Sequence, residues 1–272
     1  MVEQAVDISG LLYGSELPDP PKSERRQHEP TYLLNRSDQN NPLVLLLSGI
    51  GGHVFPFKKV AKLVSDDLRM TGLLYPYLTG DFAHFSTVPQ LADHFRKLVT
   101  APADREIFIF GYSFGGAVAF ELSKRLQADG YTVGLILFDT SLRALQKKRQ
   151  PIKFILRDVR ARALELAQYV RANVRQDHPE RSKFASIGAM RHYKPKKSSV
   201  STVLIKPKVL PRSSDYVETE DLGWRAVTNV ITVLETDGDH LDAFKGVNAP
   251  SFARTLVRAT HLIRRSNLET PE

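Results

Sequence analysis

The sequence contains no cysteine. Disulfides, thiolate metal sites and a cysteine nucleophile are therefore excluded, and a cytoplasmic setting is expected. No apolar run approaches the roughly 20 residues that a membrane-spanning helix requires. Integral membrane association is not expected. Met1 to Gly10 carries Glu3 and Asp7 and lacks a basic cluster, so no secretory signal is expected either. Acidic residues are the scarcer sign of charge, 30 against 38 basic, for a net charge of +8. Such a surplus favours an anionic partner of some kind.

What is present is ordinary globular material. The 272 residues are 42% hydrophobic and 25% charged, enough for one sizeable core. Residues 1–41 read as a leader or linker, partly disordered, because Leu17-Pro-Asp-Pro-Pro-Lys and Ser23-Glu-Arg-Arg-Gln carry no sustained period. From Pro42 the character changes, and residues 42–268 read as one α/β domain. Short continuous apolar runs begin at Leu43, Ile107, Leu135, Val203 and Val230. Helical patterns at Val60–Leu68, Gln90–Val99 and Gly115–Gln127 lie between them. Strands buried on both faces and alternating with helices predict a mainly parallel sheet flanked by helices.

The chemistry centres on Gly111-Tyr-Ser-Phe-Gly115, followed by Gly116. A G-x-S-x-G alone is a common accident. Between a buried strand and an amphipathic helix it fits the nucleophile elbow of the α/β-hydrolase fold, with Ser113 as nucleophile. Side chains at 111 and 115 would collide with the neighbouring strand and helix. Such a serine requires a base and an acid to orient it, in the chain order Ser, acid, His. Of eight histidines, His240 lies in the polar loop Glu235-Thr-Asp-Gly-Asp-His after the last strand, whereas His261 falls in a C-terminal helix. Two acids qualify. Asp139 ends the strand after the elbow, where loops of an open parallel sheet converge. Asp215 follows the later strand, the position more usual in esterases and lipases; placement favours Asp139. The oxyanion donors expected are the backbone N–H groups of Phe114 and Ile50. The glycine-rich loop Ser48-Gly-Ile-Gly-Gly52 lacks the spacing of a phosphate cradle, since Val54 stands where a third glycine belongs.

Taken together, Gly111-Tyr-Ser-Phe-Gly-Gly, Asp139, Gly238-Asp-His240-Leu241, Trp224 ahead of the last strand, and His192-Tyr193 resemble the thioesterase family of polyketide and nonribosomal peptide synthetases and fatty acid synthases. The resemblance covers about Pro42 to Leu262. It implies a triad of Ser113, His240 and Asp139 and cleavage of an acyl thioester on the phosphopantetheine arm of a carrier protein, by hydrolysis or cyclisation. No cofactor or metal is implied for the chain itself, and no nucleic acid. Two departures stand out: the family commonly has a proline where this chain has Ser48-Gly49, and another after the acid, where this chain has Thr140. Two other functions remain open, a carboxylester hydrolase and a noncatalytic carrier-binding module.

One insertion follows Asp139. Residues of about 143–192 read as a helical lid, with Ile152, Leu156, Val159, Ala163, Leu166, Val170 and Val174 on one helix face. The other face is basic, through Arg157, Arg160, Arg162 and Arg171 among others. An acidic acyl or peptidyl carrier protein, or an upstream synthetase module, is the partner expected there.

Overall fold

The structure, a computed structural model, describes residues 29–78, 87–102, 105–142, 146–147, 189–190, 193–209, 216–217 and 219–269. Alternation along its central strands sets the architecture. In β2 (Leu43–Leu47), Val44 and Leu46 enter one core while Leu45 and Leu47 enter another. In β4 (Ile107–Tyr112), Phe108 and Phe110 join the first core and Ile107 and Ile109 the second. Successive strand residues point to opposite faces, so a strand apolar at every position must be covered on both sides.

The sheet has seven strands in the order β1 (Thr31–Leu33), β3 (Arg69–Leu73), β2, β4, β5 (Val133–Phe138), β7 (Ser201–Pro207), β9 (Asn229–Thr236). All neighbours are parallel except β1 against β3. On one face lie α1 (Lys58–Leu63) and the long C-terminal helix α4 (Ala249–Glu269), packed together and against the strands. On the other lie α2 (Val88–Arg96) and α3 (Phe114–Ala128). Thr87 caps α2: its hydroxyl accepts from Gln90 N while the Gln90 side chain accepts from Thr87 N, with Pro89 in the first turn. That reciprocal pair satisfies two N–H groups that a helix start leaves without partners. A separate two-stranded ladder joins β6 (Gln146–Lys147) to β8 (Tyr216–Val217).

All five expected strands are present; β2 matches its apolar run and the other four extend beyond theirs. Two strands carried no such run. β3 interleaves Arg69 and Thr71 with buried Met70 and Gly72. β1 has three residues and lies within the stretch 1–41 read as leader, so the sheet starts ahead of Pro42. A three-residue edge strand has one neighbour and is too short to display a period. The helix expected over Val60–Leu68 is shorter at its end, stopping at Leu63 before a turn. Lid helix residues Pro151–Arg175, together with His28, His84, His178, His192 and Asp215, lie outside the described residues. Among the described residues no helix is long and apolar enough to cross a membrane.

Candidate active site

Ser113 stands between the last residue of β4 and the first of α3, with φ 53° and ψ −123°. A non-glycine residue there carries strain of about 1–3 kcal/mol and persists only where its surroundings impose the conformation. They do so by close approach. A Cβ on Gly115 would overlap the carbonyl oxygens of Leu47 and Ser48, and one on Gly116 would overlap the Thr140 side chain. Only glycine lets α3 start this near the end of β2. Ser113 N donates to Phe138 O (3.0 Å), and Ser113 O accepts from Gly116 N (3.0 Å). The Thr140 hydroxyl lies 2.9 Å from Ser113 O and 3.2 Å from Phe138 O, its one proton shared between them. Phe114 begins α3, where a helix has no internal partner for its N–H groups and presents a positive dipole end. Its ring turns into the core beside Tyr75.

Asp139 follows β5 with φ 43°, its N–H donating to Ile205 O (3.0 Å). The Asp139 carboxylate Oδ2 lies 2.6 Å from His240 Nδ1. The pair spans 101 residues of sequence. Thr140, the next residue, is 1% exposed, and its carbonyl accepts from Trp224 Nε1 (2.6 Å). Trp224 is fully buried with its ring edge-on to Phe120 of α3. The strained acid is thus held from the side of β7 and from Trp224.

His240 is carried differently. Its loop is self-supporting: Asp239 Oδ1 accepts from Leu241 N (2.7 Å) and Asp242 N (3.0 Å), while Asp242 Oδ1 accepts from Asp239 N (2.7 Å). Gly238, at φ 88°, turns the chain into it. Tyr112 ties the loop to the central strand: its hydroxyl donates to His240 O (2.8 Å), and its ring lies 4.9 Å from the imidazole. With Nδ1 on a carboxylate, neutral imidazole carries its proton there and leaves the Nε2 lone pair free, which is the protonation state of a general base.

Ser113 and His240 line one cavity of about 170 Å³, with Ser48, Gly49, Ile50, His53, Pro56, Tyr112, Leu241, Phe244 and Lys245. The structure therefore brings together Ser113, His240 and Ile50 in the cavity wall, Asp139 behind His240, and Phe114 directly after the serine. His261 lies elsewhere, in the groove between α1 and α4. Tyr112, Thr140 and His53 carried no signal of their own in the sequence. The first two act on main-chain carbonyls, which every residue has. His53 sits four residues beyond Gly49, on a loop whose course is set by the turn Gly52 N to Gly49 O (3.0 Å). No cluster of three or more metal-ligating side chains occurs among the described residues.

Comparison with known proteins identifies the family. The nonribosomal peptide synthetase btyA of Aspergillus terreus is 30% identical over 105 residues, 38% of this chain and 11% of that protein. Thioesterase TesA of Mycobacterium marinum is 29% identical over 101 residues, 36% of this chain and 40% of that protein. The chain thus spans a small part of the synthetase and less than half of TesA. Among solved structures, YbtT, a type II thioesterase from the yersiniabactin NRPS/PKS pathway, superposes with a TM-score of 0.64 at 18% identity. That alignment covers 86% of this chain and all of YbtT, and it supports the α/β-hydrolase fold. The thioesterase domain family matches residues 42–260. By that match over most of its length, the chain belongs to the thioesterase domain family, hydrolases of thioester bonds.

Proposed function

We propose that the protein is a serine thioesterase that releases an acyl or peptidyl chain from the phosphopantetheine arm of a carrier protein through an acyl-Ser113 intermediate. The observation that carries the proposal is the 2.6 Å contact of His240 Nδ1 with Asp139 Oδ2 at the cavity onto which Ser113 opens. Ser113 Oγ attacks the thioester carbonyl as its proton passes to His240 Nε2. Charge develops on the carbonyl oxygen and is met by the N–H groups of Phe114 and Ile50. The C–S bond breaks, the imidazolium returns its proton to the departing thiolate, and free pantetheine thiol leaves. Water then attacks the acyl-serine carbonyl as His240 takes its proton, the bond to Ser113 Oγ breaks, and His240 returns the proton to that oxygen as the acid is released. A hydroxyl or amine within the acyl chain attacking instead gives a cyclised product. Asp139 holds the imidazole in the required tautomer throughout and stabilises it when charged.

The partner in this scheme is an acidic acyl or peptidyl carrier protein, or an upstream synthetase module, met in the cytoplasm. The chain itself supplies no cofactor; the phosphopantetheine belongs to the partner. Relatives that include a nonribosomal peptide synthetase and a type II thioesterase support this substrate class.

A fluorophosphonate probe labels Ser113 in the wild type and leaves Ser113→Ala unlabelled on this scheme. His240→Ala is expected to lose nearly as much turnover, because the groups act as a unit. Octanoyl-pantetheine is hydrolysed faster than the matched oxygen ester. Faster turnover of the oxygen ester assigns a carboxylester hydrolase instead. Absence of labelling and of turnover on both assigns a noncatalytic module.

A further inference from the structure

Two segments frame the mouth of the Ser113 cavity on one side, residues 53–63, which run into α1, and residues 241–248, which lead to α4. His53 and Pro56 of the first and Leu241, Phe244 and Lys245 of the second line the cavity itself. The segments are fastened to each other. Lys59 Nζ donates to Gly246 O (2.7 Å), and beneath them Phe57 stacks on Phe244 with ring centroids 4.2 Å apart. The outer surface they share is therefore formed in advance.

Its composition is strongly basic. The two segments carry Lys58, Lys59, Lys62 and Lys245, all exposed, against a single acid, Asp242. Asp242 Oδ1 is engaged by Asp239 N and by Asn248 Nδ2 (3.2 Å), within its own loop. None of the four lysines has a carboxylate at ion-pair distance among the described residues, whereas Arg96, Arg125, Lys208, Arg264 and Arg265 all do. The same segments carry three exposed apolar side chains, Val247 at 92%, Phe55 at 49% and Leu63 at 48%. The Lys58 ammonium lies over the Phe55 and Tyr32 rings, 5.6 and 5.3 Å from their centroids.

We infer that this cationic, apolar-tipped rim is a docking surface for the acidic face of the carrier protein, an inference that rests on the thioesterase function proposed above. A thioester borne on a protein arm reaches Ser113 only if that protein settles at the mouth of the cavity. Unpaired lysines there attract an acidic partner and speed encounter. Val247 and Phe55 give it apolar contact once seated, and the cross-linked segments lose little freedom on binding.

The test compares one acyl group on two carriers: octanoyl on an acidic carrier protein, and octanoyl-pantetheine. In Lys58→Glu/Lys62→Glu, kcat/KM for the carrier-borne substrate is expected to fall about tenfold at low salt, through KM, with the deficit shrinking as ionic strength rises. Val247→Ser is expected to lower it about threefold at every salt concentration, the loss of one buried apolar contact. Octanoyl-pantetheine turnover stays within about twofold of wild type in both, as it is steered by no protein partner. Unchanged carrier kinetics in the double variant overturn the inference and move docking elsewhere, for example to residues 151–175. Equal losses on both substrates also overturn it, since the rim would then be shaping the cavity. Failure of the underlying function looks different, because wild type would turn over neither substrate.

Discussion

The end of β5, which carries Asp139, and the loop after β9, which carries His240, reach the same contact by unequal means. Asp139 is held by its own backbone bond to Ile205 O, and Thr140 beside it is held by Trp224 and bonded to Ser113 O. The His240 loop depends on its own Asx bonds and on the Tyr112 hydroxyl. Side-chain exposure follows the same division, 12% for Asp139 and 33% for His240. The acid is thus a fixed reference against the nucleophile strand, and the base is the member with latitude. In the mechanism proposed above, that division suits an imidazole that serves first the serine and then the leaving sulfur.

The comparison breaks most sharply at the acid. Asp139→Asn is expected to lower kcat by up to about 10⁴-fold by leaving the imidazole in the wrong tautomer. Asp215→Asn, measured alongside, is expected to change kcat less than about threefold if Asp139 alone orients the base. A reversal of the two results would assign the acid to the later position.

A smaller effect separates the fixed side from the free one. Thr140→Val keeps the side chain's shape but removes its donor, and loss of one buried hydrogen bond is expected to cost about 1–2 kcal/mol of stability. It is also expected to lower kcat about tenfold, since Ser113 loses the bond at its carbonyl. Thr140→Ser restores both readouts. Tyr112→Phe removes the hydroxyl that bonds His240 O, and kcat is expected to fall about threefold with KM unchanged. A larger loss for Tyr112→Phe than for Thr140→Val would show that the base side is the more tightly specified.

The smallest catalytic effect belongs to a network remote from the cavity. Glu121 of α3 accepts from Arg125 Nη1 (2.7 Å), Tyr193 OH (3.0 Å) and Lys124 Nζ (3.1 Å). Burial pushes its pKa up, but these donors outweigh that and hold it below the usual carboxylate value. A depressed carboxylate contributes stability that is present above its unfolded pKa and lost as pH falls through the folded value. Glu121→Gln is expected to lower stability at pH 7 by about 3 kcal/mol and to flatten the loss of stability below pH 4. Thermal denaturation against pH measures both, while kcat at 25 °C stays within about twofold.

How legible each part was follows from its chemistry. β4 and β5 are buried at every position, so their apolar runs were unmistakable. The elbow announced itself because close approach excludes side chains at 115 and 116. Gly238 and His240 stood out as a flexible turn and a titratable group in one polar loop. β1 was hidden by its length, and β3 by Arg69 and Thr71 within it, next to the edge strand. Thr140 and Tyr112 were hidden for another reason: each bonds a main-chain carbonyl brought near by topology, and nothing in the local sequence encodes such a neighbour.

The 101-residue span between Asp139 and His240 also has a meaning in time. During synthesis the strained serine and its acid leave the ribosome early, with β4 and β5. The imidazole comes much later, and α4, which packs against β5, β7 and β9, follows it. Contacts so distant in sequence form late, and N-terminal parts of a chain settle first. A nascent or interrupted chain is thus expected to hold an elbow with no base, inert toward any thioester it meets.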